Sequence, residues 1–325
     1  MGNTQIIKAP IAEEFAKFEE LFVASFKTEN PLLKQVYAHV MTTKGKQIRP
    51  MLTLLAAKLC GIVTHATYFS AIGLELLHAA SLIHDDVVDE TLQRRGVPSV
   101  NSAFSNKVAV LSGDYLLSQV FSFAGKFDDA RLIEAFTTVG KSLSEGELLQ
   151  MEYVNKPQFN EANYFQIIQK KTAVLFSTCM YTGALSAHLA TDEQVEKLRL
   201  FGEYLGICFQ IKDDIFDYSD SKEIGKPTAN DIREKKITLP LIYAHNHASE
   251  DEKAEAIRLL DQVTLDEQAI AFFVQLARKK GGIEYAAYRM DEYRNKAVAL
   301  LDDFSNKQIV DTLIYAMDYV VSRDK

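Results

Sequence analysis

Between Tyr68 and Glu90 the apolar residues Ile72, Leu76, Leu77, Ala80 and Ile83 recur at the i, i+3/i+4 spacing of a helix that buries one face. The stretch 195–218 repeats that period through Leu198, Phe201, Leu205, Cys208, Phe209 and Ile215. Nowhere is the period-two alternation of a strand sustained. Pro31, Pro50, Pro98, Pro157, Pro227 and Pro240 fall between the periodic stretches or at their starts, where a missing N–H does least harm. No repeat, low-complexity block or Gly/Ser-rich linker breaks the series, so the chain reads as one all-α domain over residues 1–325. The polar stretch 219–231, with Gly225 and Pro227, directly follows a charged cluster and reads as an active-site loop rather than a domain boundary.

Composition narrows the function classes. The formal charge of -8 argues against a general nucleic-acid binder, which carries a basic stripe. Cys60, Cys179 and Cys208 are odd in number and set among apolar neighbours, a pattern of reduced, buried thiols that fits a cytoplasmic location. The first residues, MGNTQIIKAP, hold no long apolar run and lack the Ser or Thr of a myristoylation signal. No run reaches the roughly 18 uncharged residues of a spanning helix.

Two acidic clusters change the picture. LIHDDVVDE sets Asp85, Asp86 and Asp89 at D-D-x-x-D spacing, and KDDIFDY repeats it with Asp213, Asp214 and Asp217. At 3.6 residues per turn the first and fifth positions share a face, so each motif aims at least two carboxylates one way. A solvated acidic helix end is the plainer account of either motif alone. Both, however, end long apolar helices, where the macrodipole disfavours an acid by about 0.3 to 1 kcal/mol and like charges at i, i+4 add to the cost. A cation should offset it. Few carboxylates plus substrate phosphates describe Mg²⁺, whereas an EF-hand needs a different pattern. Basic residues supply the complement: Lys46 and Arg49, Arg94 and Arg95, Lys171 beside Thr172, and Lys226 and Lys236. Each alone reads as a surface charge. Interleaved with the acidic motifs, they read as a site for two phosphate-bearing substrates, one gripped through metal and the other by Arg forks and Lys charges. His78 fits a core histidine or a phosphate contact equally; His84 reads as structural.

GKQIRP, ELLHAASLIHDDVVDETLQRRG, VLSGDYLL, SEGELLQM, KTAVLF, FQIKDDIFDY and GKPTANDIREKKITLPLIYA stand in the order found in trans-type polyprenyl diphosphate synthases, and the chain resembles that family over nearly its whole length. The resemblance implies an isoprenoid-synthase-type helical bundle around a deep central cavity, usually a homodimer. It implies that Asp85, Asp89 and Asp213, with Asp86, Asp214 and Asp217 nearby, hold a Mg²⁺ cluster on an allylic diphosphate. Arg94, Lys171, Gln210, Lys226 and Lys236 would contact that diphosphate, and Lys46, Arg49, His78 and Arg95 would bind isopentenyl diphosphate. Thr172 and Gln210 would turn oxygens toward the allylic cation. Lys44 and Gln47 stand where the family pattern has Gly and Arg, and Ala229 and Lys235 where it has Gly. A class I terpene cyclase shares the first Asp motif but has an Asn/Ser/Glu pattern in place of DDIFD. A non-catalytic partner subunit typically loses metal ligands, and this chain keeps both sets.

The growing chain would run from the metals along the helix bearing Asp85. Ala80 and Ser81, one turn upstream, are small where short-chain members have aromatic residues, with Leu77 and Leu74 as deeper lining and Phe136 or Val139 as a floor. That implies an all-trans product of about thirty to fifty carbons, suited to a quinone side chain, with transient membrane contact for its release; a farnesyl or geranylgeranyl product is the alternative.

Overall fold

The structure is a computed structural model that describes residues 2–42, 45–156, 158–218 and 229–323. Lys226, Lys44 and most of the 219–231 loop lie outside the described residues. Helices occupy most of what is described: α1 (Gly2–Lys8), α2 (Ala12–Ser25), α3 (Pro31–Thr42), α4 (Ile48–Cys60), α5 (His65–Val88), α6 (Val100–Ala103), α7 (Asn106–Ala124), α8 (Ala130–Asn155), α9 (Glu161–Ile168), α10 (Val174–Ser186), α11 (Asp192–Asp217), α12 (Asn230–Arg233), α13 (Leu239–Asn246), α14 (Glu250–Leu260), α15 (Glu267–Lys279), α16 (Gly282–Ala299) and α17 (Lys307–Ser322). The fold is all-α. Among the described residues the only strands are β1 (Gln93–Arg94) and β2 (Val97–Pro98), an antiparallel pair joined by Arg95 and Gly96. Both turn residues have positive φ, 52° and 81°, as a two-residue hairpin turn whose twist matches its strands requires.

The chain contacts group into two compact units, each drawn from three stretches. Unit 1 comprises 1–140, 178–199 and 304–313; unit 2 comprises 141–177, 200–303 and 314–325. In unit 1, α5 packs mainly on α7 and α4, burying Leu74, Leu76, Leu52 and Leu55. Its start is set by a reciprocal cap, in which Thr67 N–H donates to Thr64 Oγ1 at 3.3 Å and Thr64 N–H to Thr67 Oγ1 at 3.0 Å. Phenylalanines one turn apart along α2 and at its C-cap line up Phe15, Phe18, Phe22 and Phe26 at centroid spacings of 5.0 to 5.5 Å. In unit 2, α13 lies on α15 and α16 over a core that includes Tyr218, Leu241, Ile270 and Phe273.

By length and mean hydropathy (1.3) α5 matches a membrane-spanning helix, but 56% of that apolar window is buried inside the protein, as in a core helix. Cys60, Cys179 and Cys208 are buried free thiols, each pushed up to about 12 by burial.

Candidate active site

In unit 1, α5 ends at the first acidic motif. Asp85 is half-buried and Asp89 exposed, and Asp89 N–H donates to Asp85 O at 2.8 Å, closing the last turn. Asp86 differs from both: it is 2% exposed, and Arg94 grips it as a fork, Nε at 2.9 Å from each oxygen and Nη2 at 2.7 Å. The chain turns back over the end of α5 before the hairpin, with Thr91 N–H donating to Asp86 O at 2.9 Å, and β1 then carries Arg94 onto the carboxylate. A buried carboxylate in a bidentate pair has its charge answered within the protein. Asp86 therefore braces the hairpin, and Arg94 is committed to Asp86.

The predicted isopentenyl diphosphate residues fall in the same unit. Arg49 Nη1 lies 3.0 Å from His78 Nε2, so the imidazole accepts and is neutral. Burial, then Arg49, Arg95 and Arg94, hold its pKa well below 6.5. The Arg95 guanidinium covers Gly45, beside Lys46; a Cβ on Gly45 would meet it at 2.6 Å. Burial and Arg94 lower the pKa of Arg95. Like charges so gathered favour an anionic ligand.

Ala80 and Leu74 are fully buried, Leu77 nearly so, and Ser81 is half-buried, its hydroxyl donating to His78 O at 3.0 Å. Gly73 shares the Ala80 face at seven residues' spacing, and the Phe136 ring sits where a Gly73 Cβ would come within 2.6 Å of it. Phe136 thus lies against α5 two turns beyond Ala80; Val139 is fully buried.

In unit 2, α9 passes into one turn of π-helix, Gln169–Ala173, which carries Lys171 and Thr172. Single π-turns inside helices are frequent at functional sites because the extra residue re-aims its neighbours. Two glycines let other helices settle on this turn. A Cβ on Gly146 of α8 would meet Lys171 N at 2.8 Å, and one on Gly206 of α11 would meet Ala173 Cα at 2.5 Å. One turn beyond Gly146, Gln150 Oε1 accepts from Lys171 Nζ at 2.9 Å, and Glu147 pairs with that ammonium at 2.5 Å. One turn beyond Gly206, Gln210 Oε1 accepts from the Thr172 hydroxyl at 2.7 Å.

The second acidic motif ends α11, and its carboxylates have different partners. Asp213 pairs with Arg323, just past the end of α17, at 2.5 Å; the Arg323 guanidinium lies 4.0 Å from the Phe209 ring centroid. Asp214 is 2% exposed and accepts from Tyr164 Oη at 2.6 Å and Gln210 Nε2 at 2.8 Å. Burial, then Asp231, raises its pKa well above the usual carboxylate range. Asp217 accepts from the N–H groups of Asn230 and Asp231 at 2.9 and 2.8 Å, and burial raises it too. Asp231, pushed up to about 7 by burial and Asp217, lines with Lys171, Thr172, Gln210, Asp214 and Lys236 an open cleft of about 760 Å³. Lys236 pairs with Glu234 at 2.5 Å.

Within either unit no three His, Cys, Asp or Glu side chains of the described residues close around one point. The donor set, hard oxygens few in number, fits Mg²⁺, which keeps several waters and phosphate oxygens among its ligands, better than an all-protein cage.

The family resemblance put Asp85, Asp89 and Asp213 foremost with Asp86, Asp214 and Asp217 nearby; the structure shows Asp86 and Asp214 as buried groups paired within the protein. It also brings in Tyr164 and Arg323, which no short motif marked, and gives Glu147, Gln150 and Asp231, which lie inside SEGELLQM and GKPTANDIREKK, their partners. The i, i+7 spacing of Tyr164 and Lys171 was the available signal for the first of these.

Residues 30–277 match the family model described as polyprenyl synthetase. The chain is 32% identical over 324 residues to octaprenyl diphosphate synthase of Escherichia coli, covering 99% of this chain and 100% of the relative. It is 36% identical to an all-trans-nonaprenyl-diphosphate synthase of Rhodobacter capsulatus, covering 92% and 91%. Similar solved structures include a decaprenyl diphosphate synthase of Rhodobacter capsulatus (TM-score 0.91, 34% identity, 99% of both chains). A geranylgeranyl pyrophosphate synthase of Bacteroides thetaiotaomicron is also similar (TM-score 0.85, 41% identity, 99% and 100%).

Proposed function

The chain belongs to the polyprenyl synthetase family, and from that membership we propose a Mg²⁺-dependent synthase that adds isopentenyl diphosphate head-to-tail to an allylic diphosphate. Lys171 and Lys236, with Lys226, hold the allylic diphosphate; Lys46, Arg49, Arg95 and His78 hold isopentenyl diphosphate. Asp85, Asp89, Asp213 and Asp217 are the metal ligands, with Asp86 and Asp214 as their buttresses. Bound Mg²⁺ neutralises the charge that builds on the departing pyrophosphate. Thr172 and Gln210 face the carbon it leaves, and apolar helix faces exclude water from the cation. The observation that carries the reading is the unit 2 cleft, whose lining combines Lys171, Lys235 and Lys236 with the paired Thr172 and Gln210 oxygens.

The product proposed is long, about thirty to fifty carbons, because Ala80 and Ser81 leave the helix face upstream of Asp85 without a bulky floor. A quinone side chain is its proposed use, in a cytoplasmic homodimer. A second reading, a short-chain synthase, is favoured by the 41% identity to a geranylgeranyl pyrophosphate synthase. The test is to incubate the purified chain alone with Mg²⁺, isopentenyl diphosphate and farnesyl diphosphate and to weigh the products. Chains of about thirty carbons or more are expected, and Ser81→Phe should shorten them, since a ring there obstructs growth and not the diphosphates. A wild-type product of twenty carbons or fewer establishes the short-chain reading; no product points to a partner subunit.

A further inference from the structure

We propose that Tyr164 and Asp214 are positioning residues that fix which way the Thr172 and Gln210 dipoles point in the unit 2 cleft, an inference that rests on the prenyl-transfer reading of that cleft. A side-chain amide can present either its oxygen or its NH₂, and a hydroxyl either its lone pairs or its proton. Which end faces a developing cation decides whether the group stabilises or opposes it.

The chain of hydrogen bonds settles both choices. Asp214 is pinned at its two oxygens, by Tyr164 Oη on Oδ2 at 2.6 Å and by Gln210 Nε2 on Oδ1 at 2.8 Å. With its nitrogen committed to an acceptor, Gln210 must turn Oε1 toward Thr172. The Thr172 hydroxyl donates to that oxygen at 2.7 Å, so its proton is spent and only lone pairs remain for the cleft it lines. Were the amide reversed, Gln210 would donate to Thr172, and the hydroxyl proton would be released toward the site of positive charge. Tyr164 and Asp214 are both buried, and loss of the phenol leaves the carboxylate free to rotate. All four residues line one cleft, yet only Thr172 and Gln210 carry oxygens for the substrate. Tyr164 acts through Asp214 and Gln210.

Tyr164→Phe keeps the ring and removes one hydroxyl. We expect kcat to fall about 10- to 100-fold, with KM for the allylic diphosphate within about 2-fold, because the dipoles act on ionisation and not on diphosphate binding. Thr172→Ser should keep most activity and Thr172→Val should not. Tyr164→Phe combined with Thr172→Val should be within about 2-fold of Thr172→Val alone, since a chain already broken at its end has no polarity left to set. In the metal-free, substrate-free protein the Gln210 side-chain amide protons should exchange slowly, and Tyr164→Phe or Asp214→Asn should speed them, which keeps the idea testable if one variant folds poorly. Wild-type kcat in Tyr164→Phe, multiplying losses in the double variant, or unchanged amide exchange overturns the proposal. A wild-type protein that makes no prenyl product overturns the functional reading instead, and the amide exchange still decides the hydrogen-bond chain.

Discussion

At the residue scale, identical letters in the two D-D-x-x-D motifs carry unlike duties. Asp85 and Asp89 are a half-buried and an exposed carboxylate at a helix end, whereas Asp86 is closed off by Arg94 and Asp214 by Tyr164 and Gln210. Asp85→Ala and Asp213→Ala should each cut turnover by about 10³-fold or more while far-UV circular dichroism stays unchanged, because each removes a ligand from a charge-stabilising site. Isothermal titration with Mg²⁺ in the presence of a diphosphate should show the matching loss of affinity; near-normal turnover in either variant would sink the assignment. Spacing revealed which residues are acidic and share a face. It could not reveal which carboxylates are internally paired, since the pairs span 8 to 110 residues of sequence.

At the element scale, the π-turn at Gln169–Ala173 and the glycines seated on it set the distance between Thr172 and Gln210. Gly206→Ala drives a Cβ to 2.5 Å from Ala173 Cα, which is backbone and cannot swing aside. We expect a loss of about 1 to 3 kcal/mol in denaturant unfolding together with a fall in kcat, since α11 must retreat and take Gln210 with it. Ala229 and Lys235 make the opposite case. Both stand where the family pattern has Gly, and both adopt left-handed φ, 62° and 56°, at about 1 to 2 kcal/mol each for an L-residue. Ala229→Gly should therefore raise stability by up to about 1 kcal/mol, net of the entropy Gly loses on folding. A lower unfolding midpoint in that variant would show the turn to be unstrained. Helix periodicity was legible, but the π-turn was not: an extra residue rotates an apolar stripe by about 100°, yet α10, which follows, is apolar on every side and has no stripe to show the rotation.

At the scale of the whole molecule, α7 leaves Leu111 and Phe121 68% and 69% exposed, two large apolar side chains that a second copy could cover. The proposed homodimer should elute with twice the 36.5 kDa chain mass by light scattering. Leu111→Glu with Phe121→Glu should return it to one chain mass; a wild-type monomer would refute the dimer. The sequence by itself determined the helices, the two acidic ends, the basic residues interleaved with them and the family, because each is a matter of local spacing or of short ordered motifs. Only the tertiary structure decided that Asp86 belongs to Arg94, that Asp214 belongs to Tyr164, and that Arg323 from the chain's end rests on Asp213. Those pairings depend on which helices approach within hydrogen-bond reach, a property of packing that no spacing along one chain encodes.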